Sequence, residues 1–188
     1  MTTQFDPVRA KARLLQLVRE RAYKDGLDIV LASGKRSTFY INGKKVSLHP
    51  EGLWLIAKLL LEKLKRHPEV TAVGGLTIGA DPLASAVAAL SFESGQNLKA
   101  FLVRKEAKGH GTGSKIEGDL DRGEKVAILE DTVTTGGSAK KAIDAVREVG
   151  AEPVVVMAIA DREDPDADAF RQQHRVECLL TLREIRGG

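Results

Sequence analysis

Apolar residues recur at helical spacing from Pro7 to Arg21 (Val8, Leu14, Leu15, Leu17, Val18, then Ala22). The spacing predicts an amphipathic helix opened by Asp6-Pro7 and ended near Asp25-Gly26. Two short strand-like runs, Leu27–Ala32 and Ser37–Ile41, flank Ser33-Gly34 and read as a hairpin. Pro50 opens a second helix whose apolar side takes Leu53, Trp54, Ile56, Ala57, Leu60, Leu61 and Leu64, which puts Trp54 in the core.

From residue 71 the rhythm changes. Thr71–Gly74, Ala100–Val103, Val126–Leu129 and Val154–Ile159 are short and continuously apolar, and Val176–Leu182 adds one more such run. Between them lie helical patterns, one opened by Asp81-Pro82 with Leu83, Val87 and Leu90, another carrying Ala139, Ala142, Ile143 and Val146 and closed by Gly150. Strands without polar alternation are covered on both faces. Alternating with helices, they predict an α/β fold with a central, mostly parallel sheet flanked by helices. Residues 1–45 read as a small N-terminal helix and hood hairpin, and residues 46–188 as the α/β core of one compact unit.

Composition narrows the function. At 188 residues, 43% hydrophobic and 29% charged, the chain has the size and balance of one globular domain. Aromatic residues are only 4%, which argues against a stacking platform for single strands. The 29 Lys+Arg against 26 Asp+Glu leave +3, too little to imply a nucleic-acid partner. The single cysteine, Cys178, lies in an apolar run and reads as a small core residue. The apolar stretches at 53–61 and 154–160 are too short to span a bilayer, and the start has no leader-like segment, so a cytoplasmic location without a membrane partner is expected. His49, His67 and His174 are isolated, lack metal-ligand spacing, and are expected in surface or turn roles.

The most informative stretch is Val126-Ala127-Ile128-Leu129-Glu130-Asp131-Thr132-Val133-Thr134-Thr135-Gly136-Gly137-Ser138. A buried strand ends in two acids and runs through hydroxyls and glycines into a helix, where open α/β sheets bind ligands. Gly136 and Gly137 allow a tight turn that aims successive amides at one anion. Thr134, Thr135 and Ser138 add hydroxyls, and the helix adds its positive end. The string lacks the Gly-Lys-Ser/Thr of a Walker A loop, and two acids stand where a dinucleotide fingerprint would begin its glycines. Carboxylates beside a phosphate need a neutral or cationic partner: ribose hydroxyls or a metal. The motif therefore fits a ribose 5-phosphate.

Four apolar residues, two acids and a Thr/Gly-rich loop resemble the phosphoribosyltransferases. That resemblance implies that Glu130 and Asp131 hold the ribose hydroxyls of 5-phosphoribosyl 1-pyrophosphate (PRPP), that Thr132 is among the PRPP-binding residues, and that Thr134 to Ser138 hold the 5-phosphate. A second segment, Arg104-Lys105-Glu106-Ala107-Lys108-Gly109-His110-Gly111-Thr112-Gly113-Ser114-Lys115, is glycine-punctuated and cationic, hence anion-seeking. Its four cations and one acid give a local +3, so the rest of the chain is neutral. The run Arg-Lys-Glu-Ala-Lys-x-His-Gly resembles the orotate phosphoribosyltransferase family. There it implies a loop crossing a homodimer interface to act in trans, with Arg104, Lys105, Lys108 and His110 on pyrophosphate. Lys108, His110 and Asp131 are the catalytic candidates.

The hairpin Ser33-Gly34-Lys35-Arg36-Ser37-Thr38-Phe39-Tyr40 is similar to the same family's hood. The similarity implies orotate contacts by Tyr40, Lys35, Thr134 and Arg162, although Lys35 and Arg36 fit solvated hairpin charges equally well. Thr77, Ile78, Gly79 and Ala80 match the family's pyrophosphate turn. Two positions depart from the pattern: Ala32 and Gly79 stand where some members carry lysine. The implied cofactor is Mg²⁺, held mainly through substrate and water with Asp131 as an additional candidate ligand. The implied reaction is displacement of pyrophosphate from C1 of the ribose by a ring nitrogen of orotate. The alternatives are a purine phosphoribosyltransferase and a PRPP-sensing regulator without turnover.

Overall fold

The computed structural model describes residues 5–30, 34, 36–106 and 115–187; Ala32, Ser33, Lys35, Lys108 and His110 lie outside these residues. Helix α1 spans Pro7–Leu17. The Asp6 carboxylate caps it, accepting from the amides of Val8 and Arg9 at 3.0 and 3.2 Å, and Pro7 sits where no amide donor is needed. A π-helical turn over Val18–Ala22 continues it.

Among the described residues the hood has four two-residue strands: β1 (Tyr23–Lys24), β2 (Ile29–Val30), β3 (Arg36–Ser37) and β4 (Tyr40–Ile41). β2 pairs antiparallel with β3, but β4 leaves that hairpin and pairs with β1. The single strand expected over Ser37–Ile41 is therefore two. Ser37 Oγ donates to the Phe39 carbonyl at 2.7 Å and accepts from the Phe39 amide at 3.3 Å, a side-chain turn that withdraws both backbone groups from a ladder.

Helix α2 (Lys44–Ser47) leads into α3 (Pro50–Leu64), which His49 caps by accepting from the Gly52 amide. Trp54 is not in the core. It is 48% exposed and meets the ring of Phe5 edge-on, with centroids 6.0 Å apart. The buried stripe runs through Leu55, Ile56, Leu59, Leu60 and Leu64. A step of two residues turns a helix by about 200°, so Trp54 stands with Lys58 on the side away from Ile56.

The remaining elements alternate: β5 (Ala72–Leu76), α4 (Asp81–Glu93), β6 (Lys99–Val103), β7 (Ile116–Gly118), β8 (Lys125–Val133), α5 (Gly137–Glu148), β9 (Glu152–Asp161), α6 (Asp168–Gln173), β10 (Val176–Thr181) and α7 (Leu182–Arg186). They form a six-stranded sheet in the order β10-β9-β8-β5-β6-β7, parallel throughout except for β7 against β6. The expected fold class holds, and its physical basis is visible along β8. Ala127 and Leu129 join the core under α1, α3 and α4, while Val126 and Ile128 join the core under α5. Both faces are covered, so the strand has no polar face to reveal its period. Helix α1 shares this core through Ala10, Leu14 and Leu17.

β7, α6 and α7 are additions that no apolar period announces. Two other expectations change. β8 does not stop at Leu129 but continues through Glu130 and Asp131 to Val133, because β9 pairs with it along that length. His67 is not a surface residue: it is buried, and its Nε2 donates to Glu177 Oε1 at 3.0 Å. Cys178 packs beside Val133 and Ala158, and burial pushes its thiol up to about 12. Among the described residues, no helix is long and apolar enough to cross a membrane.

Candidate active site

The C-terminal end of β8, the loop after it, the end of β9 and the hood enclose a cavity of about 570 Å³. Of the residues singled out in the sequence, Tyr40, Glu130, Asp131, Thr132, Thr134, Thr135, Gly137, Ser138 and Arg162 line it. The structure adds Ile41, Asn42, Gly43, Lys44, Lys141 and Asp164.

The cradle is built by the chain's own conformational limits. Gly136 caps α5 in a left-handed conformation, φ 80°, and a Cβ there would lie 2.3 Å from Phe170 Cγ. The turn therefore closes onto α6 only with glycine, and it leaves the first amides of α5 facing the cavity end of the strand. Gly136→Ala is expected to destabilise the fold by about 1–3 kcal/mol, from the left-handed backbone and the collision with Phe170. A shift of the urea midpoint at unchanged slope checks this.

Asp131 has the cationic partner its charge requires. Lys44 Nζ donates to Asp131 Oδ2 at 2.8 Å, and this carboxylate holds the lysine above its ordinary value. Gly43 makes the approach possible, since a Cβ at that position would lie 2.9 Å from Asp131 Cβ and 3.3 Å from Thr132 Oγ1. Lys44 carries no sequence signal beyond its place in the hood, because the contact joins residues 87 positions apart.

Glu130 is buried. That burial, with the neighbouring Asp131 charge second, pushes its carboxyl up to about 8. An unfolded chain releases this proton near the ordinary 4.5, whereas the folded chain holds it until about 8. Between those values the folded state carries the extra proton, so stability falls as pH rises; the contribution is intact below 4.5 and lost once pH passes about 8. Glu130→Gln is expected to flatten this slope. Denaturant midpoints at about pH 5.5 and about pH 8.5 measure it, and equal slopes in the variant and the parent would count against a buried, proton-holding Glu130.

Arg162 is the other unusual charge. It is 5% exposed, Nη2 donates to Ser37 Oγ at 3.3 Å, and Nε has no hydrogen-bond partner. No carboxylate among the described residues forms a salt bridge with it. Burial lowers its pKa, and the nearby Asp164 charge opposes this. A buried guanidinium with donors to spare is a built site for an anion.

The turn Thr77–Ala80 does not line the cavity but abuts the acids: a Cβ on Gly79 would lie 3.2 Å from Glu130 Oε1 and 3.4 Å from Asp131 Oδ1. Its ends are tied by the Thr77 amide to the Val103 carbonyl at 2.9 Å and the Ala80 amide to the Leu76 carbonyl at 3.2 Å. Arg104 and Lys105 stand away from the cavity, Arg104 donating to Glu117 at 3.0 Å. No three His, Cys, Asp or Glu residues among those described form a metal cage. The Asp131 carboxylate in the cavity lining suits a hard cation that keeps most of its water and substrate ligands.

No protein-family model matches the chain. It is similar to the orotate phosphoribosyltransferase of Nostoc sp., 43% identical over 177 residues that cover 93% of this chain and 84% of the relative. The orotate phosphoribosyltransferase of Thermosynechococcus vestitus is 49% identical over 164 residues, covering 87% of this chain and 85% of the relative. Among solved structures, the Mycobacterium tuberculosis orotate phosphoribosyltransferase in complex with PRPP superimposes with a TM-score of 0.74 at 34% identity, over 94% of this chain and 99% of that one. With identity at this level running along nearly the whole length of both partners, the chain belongs to the orotate phosphoribosyltransferase family.

Proposed function

We propose that the cavity transfers the phosphoribosyl group of PRPP to orotate, giving orotidine 5′-monophosphate and pyrophosphate in pyrimidine nucleotide synthesis. One juxtaposition carries this reading: a phosphate cradle, a pair of strand-end acids and a buried guanidinium without a carboxylate partner share one cavity. These match, in order, the 5-phosphate, the ribose diol and the carboxylate of orotate.

In this mechanism Thr134, Thr135, Ser138 and the amides of Gly136 and Gly137 bind the 5-phosphate. The ribose hydroxyls donate to Asp131, while Lys44 keeps that carboxylate turned toward the sugar. Glu130, buried with its proton, adds no second negative charge beside the phosphates. Arg162 takes the orotate carboxylate in its guanidinium fork, and Tyr40 lies against the base. The bond from C1 to the pyrophosphate oxygen breaks, the bond from a ring nitrogen to C1 forms, and the proton of that nitrogen passes to the departing pyrophosphate. Positive charge growing on the ribose faces Asp131, fixed in place before the reaction begins.

Mg²⁺ bound among substrate oxygens, water and Asp131 would supply charge neutralisation for the departing pyrophosphate. Lys108 and His110, with Arg104 and Lys105, are proposed to reach the same pyrophosphate from the partner of a cytoplasmic homodimer. Mixing inactive Lys108→Ala subunits with inactive Asp131→Asn subunits is expected to restore part of the activity. No recovery would place the loop in cis.

The deciding assay gives the purified chain PRPP, Mg²⁺ and orotate, and follows loss of orotate with release of pyrophosphate. Turnover of adenine or xanthine in place of orotate would make the chain a purine enzyme. PRPP binding with no turnover of any base would make it a sensor.

A further inference from the structure

Arg162 is held by an aromatic platform that itself rests on the C-terminal helix. The Arg162 guanidinium carbon lies 4.4 Å from the centre of the Phe39 ring, and the Arg186 guanidinium carbon lies 4.5 Å from the same centre. Phe39 is half-buried against the main core and its ring is 6.2 Å from that of Tyr23. Arg186, on α7, donates from Nε to the Tyr23 hydroxyl at 3.0 Å and pairs with Asp25 at 3.7 Å. One ring thus carries a cation from the cavity and a cation from the last helix.

The arrangement answers a physical problem. A guanidinium buried in the free protein without a carboxylate partner would either be desolvated at high cost or draw in a local acid. A local acid would occupy the fork that the ligand's carboxylate needs. An aromatic face offsets part of the desolvation with its quadrupole, constrains the tilt of the plane, and consumes none of the N–H donors. The Ser37 hydroxyl uses one donor and the ring uses none, so the edge of the guanidinium that lines the cavity remains available.

We propose that Phe39 is a positioning residue for orotate recognition, presenting Arg162 to the carboxylate of the base, and that Arg186 couples the C-terminal helix to that site by holding the ring. This rests on the reading of Arg162 as the carboxylate anchor. Phe39 and Arg186 touch no substrate in this scheme; they act through Arg162.

The test compares Phe39→Leu, Phe39→Tyr and Arg186→Met with the parent chain in steady-state assays that vary orotate and PRPP separately. Phe39→Leu keeps an apolar side chain but loses the π face, and is expected to raise KM for orotate roughly 5- to 30-fold, the fold-change matching a desolvated cation–π contact. KM for PRPP is expected to stay within about twofold, and Phe39→Tyr to restore the parent value. Arg186→Met is expected to raise KM for orotate by a smaller factor in the same selective way. Thermal midpoints are measured alongside. A Phe39→Leu chain with unchanged KM for orotate would overturn the proposal, as would equal rises in both KM values with a lowered midpoint, since that marks a merely structural role. If Arg162→Met itself leaves KM for orotate unchanged, the failure lies in the anchor reading and not in the platform.

Discussion

Asp131→Asn is expected to lower kcat/KM for PRPP by roughly 30- to 4,000-fold, with KM for orotate little changed. The side chain is 13% exposed and carries the Lys44 contact on Oδ2, so Oδ1 is left for the sugar. Asparagine keeps the shape but loses the charge, so both the ribose hydroxyls and Lys44 lose a charged acceptor. Truncating one partner of a desolvated charge pair costs about 2–5 kcal/mol, and about 1.4 kcal/mol is a factor of ten. Part of that loss, reduced by water because the Lys44 side chain is 47% exposed, comes from taking away its charged acceptor. Asp131→Asn combined with Lys44→Met is therefore expected to be less impaired than the two single effects multiplied, and a double-mutant cycle measures the difference. A single variant retaining activity within about threefold of the parent would remove Asp131 from the mechanism.

Arg162→Met is expected to have the second large effect, and a selective one. Methionine keeps the stem's volume and removes the fork, so KM for orotate should rise by a comparable 30- to 4,000-fold. The discrimination between orotate and uracil, which lacks the carboxylate, should collapse by the same factor, because uracil never used the fork. PRPP binding, read by calorimetry without orotate, should not move. Stability supplies the control. Removing a buried charge that has no carboxylate partner is neutral or stabilising, so the lost affinity should come without a lowered thermal midpoint. A chain that melts much earlier and binds both substrates worse would show Arg162 to be structural.

The parts of this site that could be read in advance are those contiguous in the chain. Val126 to Ser138 carries a buried strand, two acids, hydroxyls and two glycines in one string, and the fold places seven of its residues around one cavity. Where β8 ends was not legible. The acids look like the start of a loop, and only the pairing of Glu130 with Ala158 and Thr132 with Ala160 makes them strand residues. Trp54 misled for a related reason. Its neighbours Leu53, Leu55 and Ile56 make the segment apolar all round, and composition alone does not choose which side faces the sheet. His67 looked solitary because its partner, Glu177, lies 110 residues away on β10.

The sequence by itself determined the class of fold and the chemistry of the cradle, because strand–helix alternation, a glycine turn and a row of hydroxyls are local properties that neighbouring residues settle among themselves. Only the tertiary structure decided which charges are compensated. Lys44 meets Asp131 across 87 positions and Arg162 reaches Ser37 across 125, so the hood is what neutralises one acid and frames the buried guanidinium. Electrostatic energy in a desolvated cavity depends on distance in space and on burial, and neither is a property of chain order.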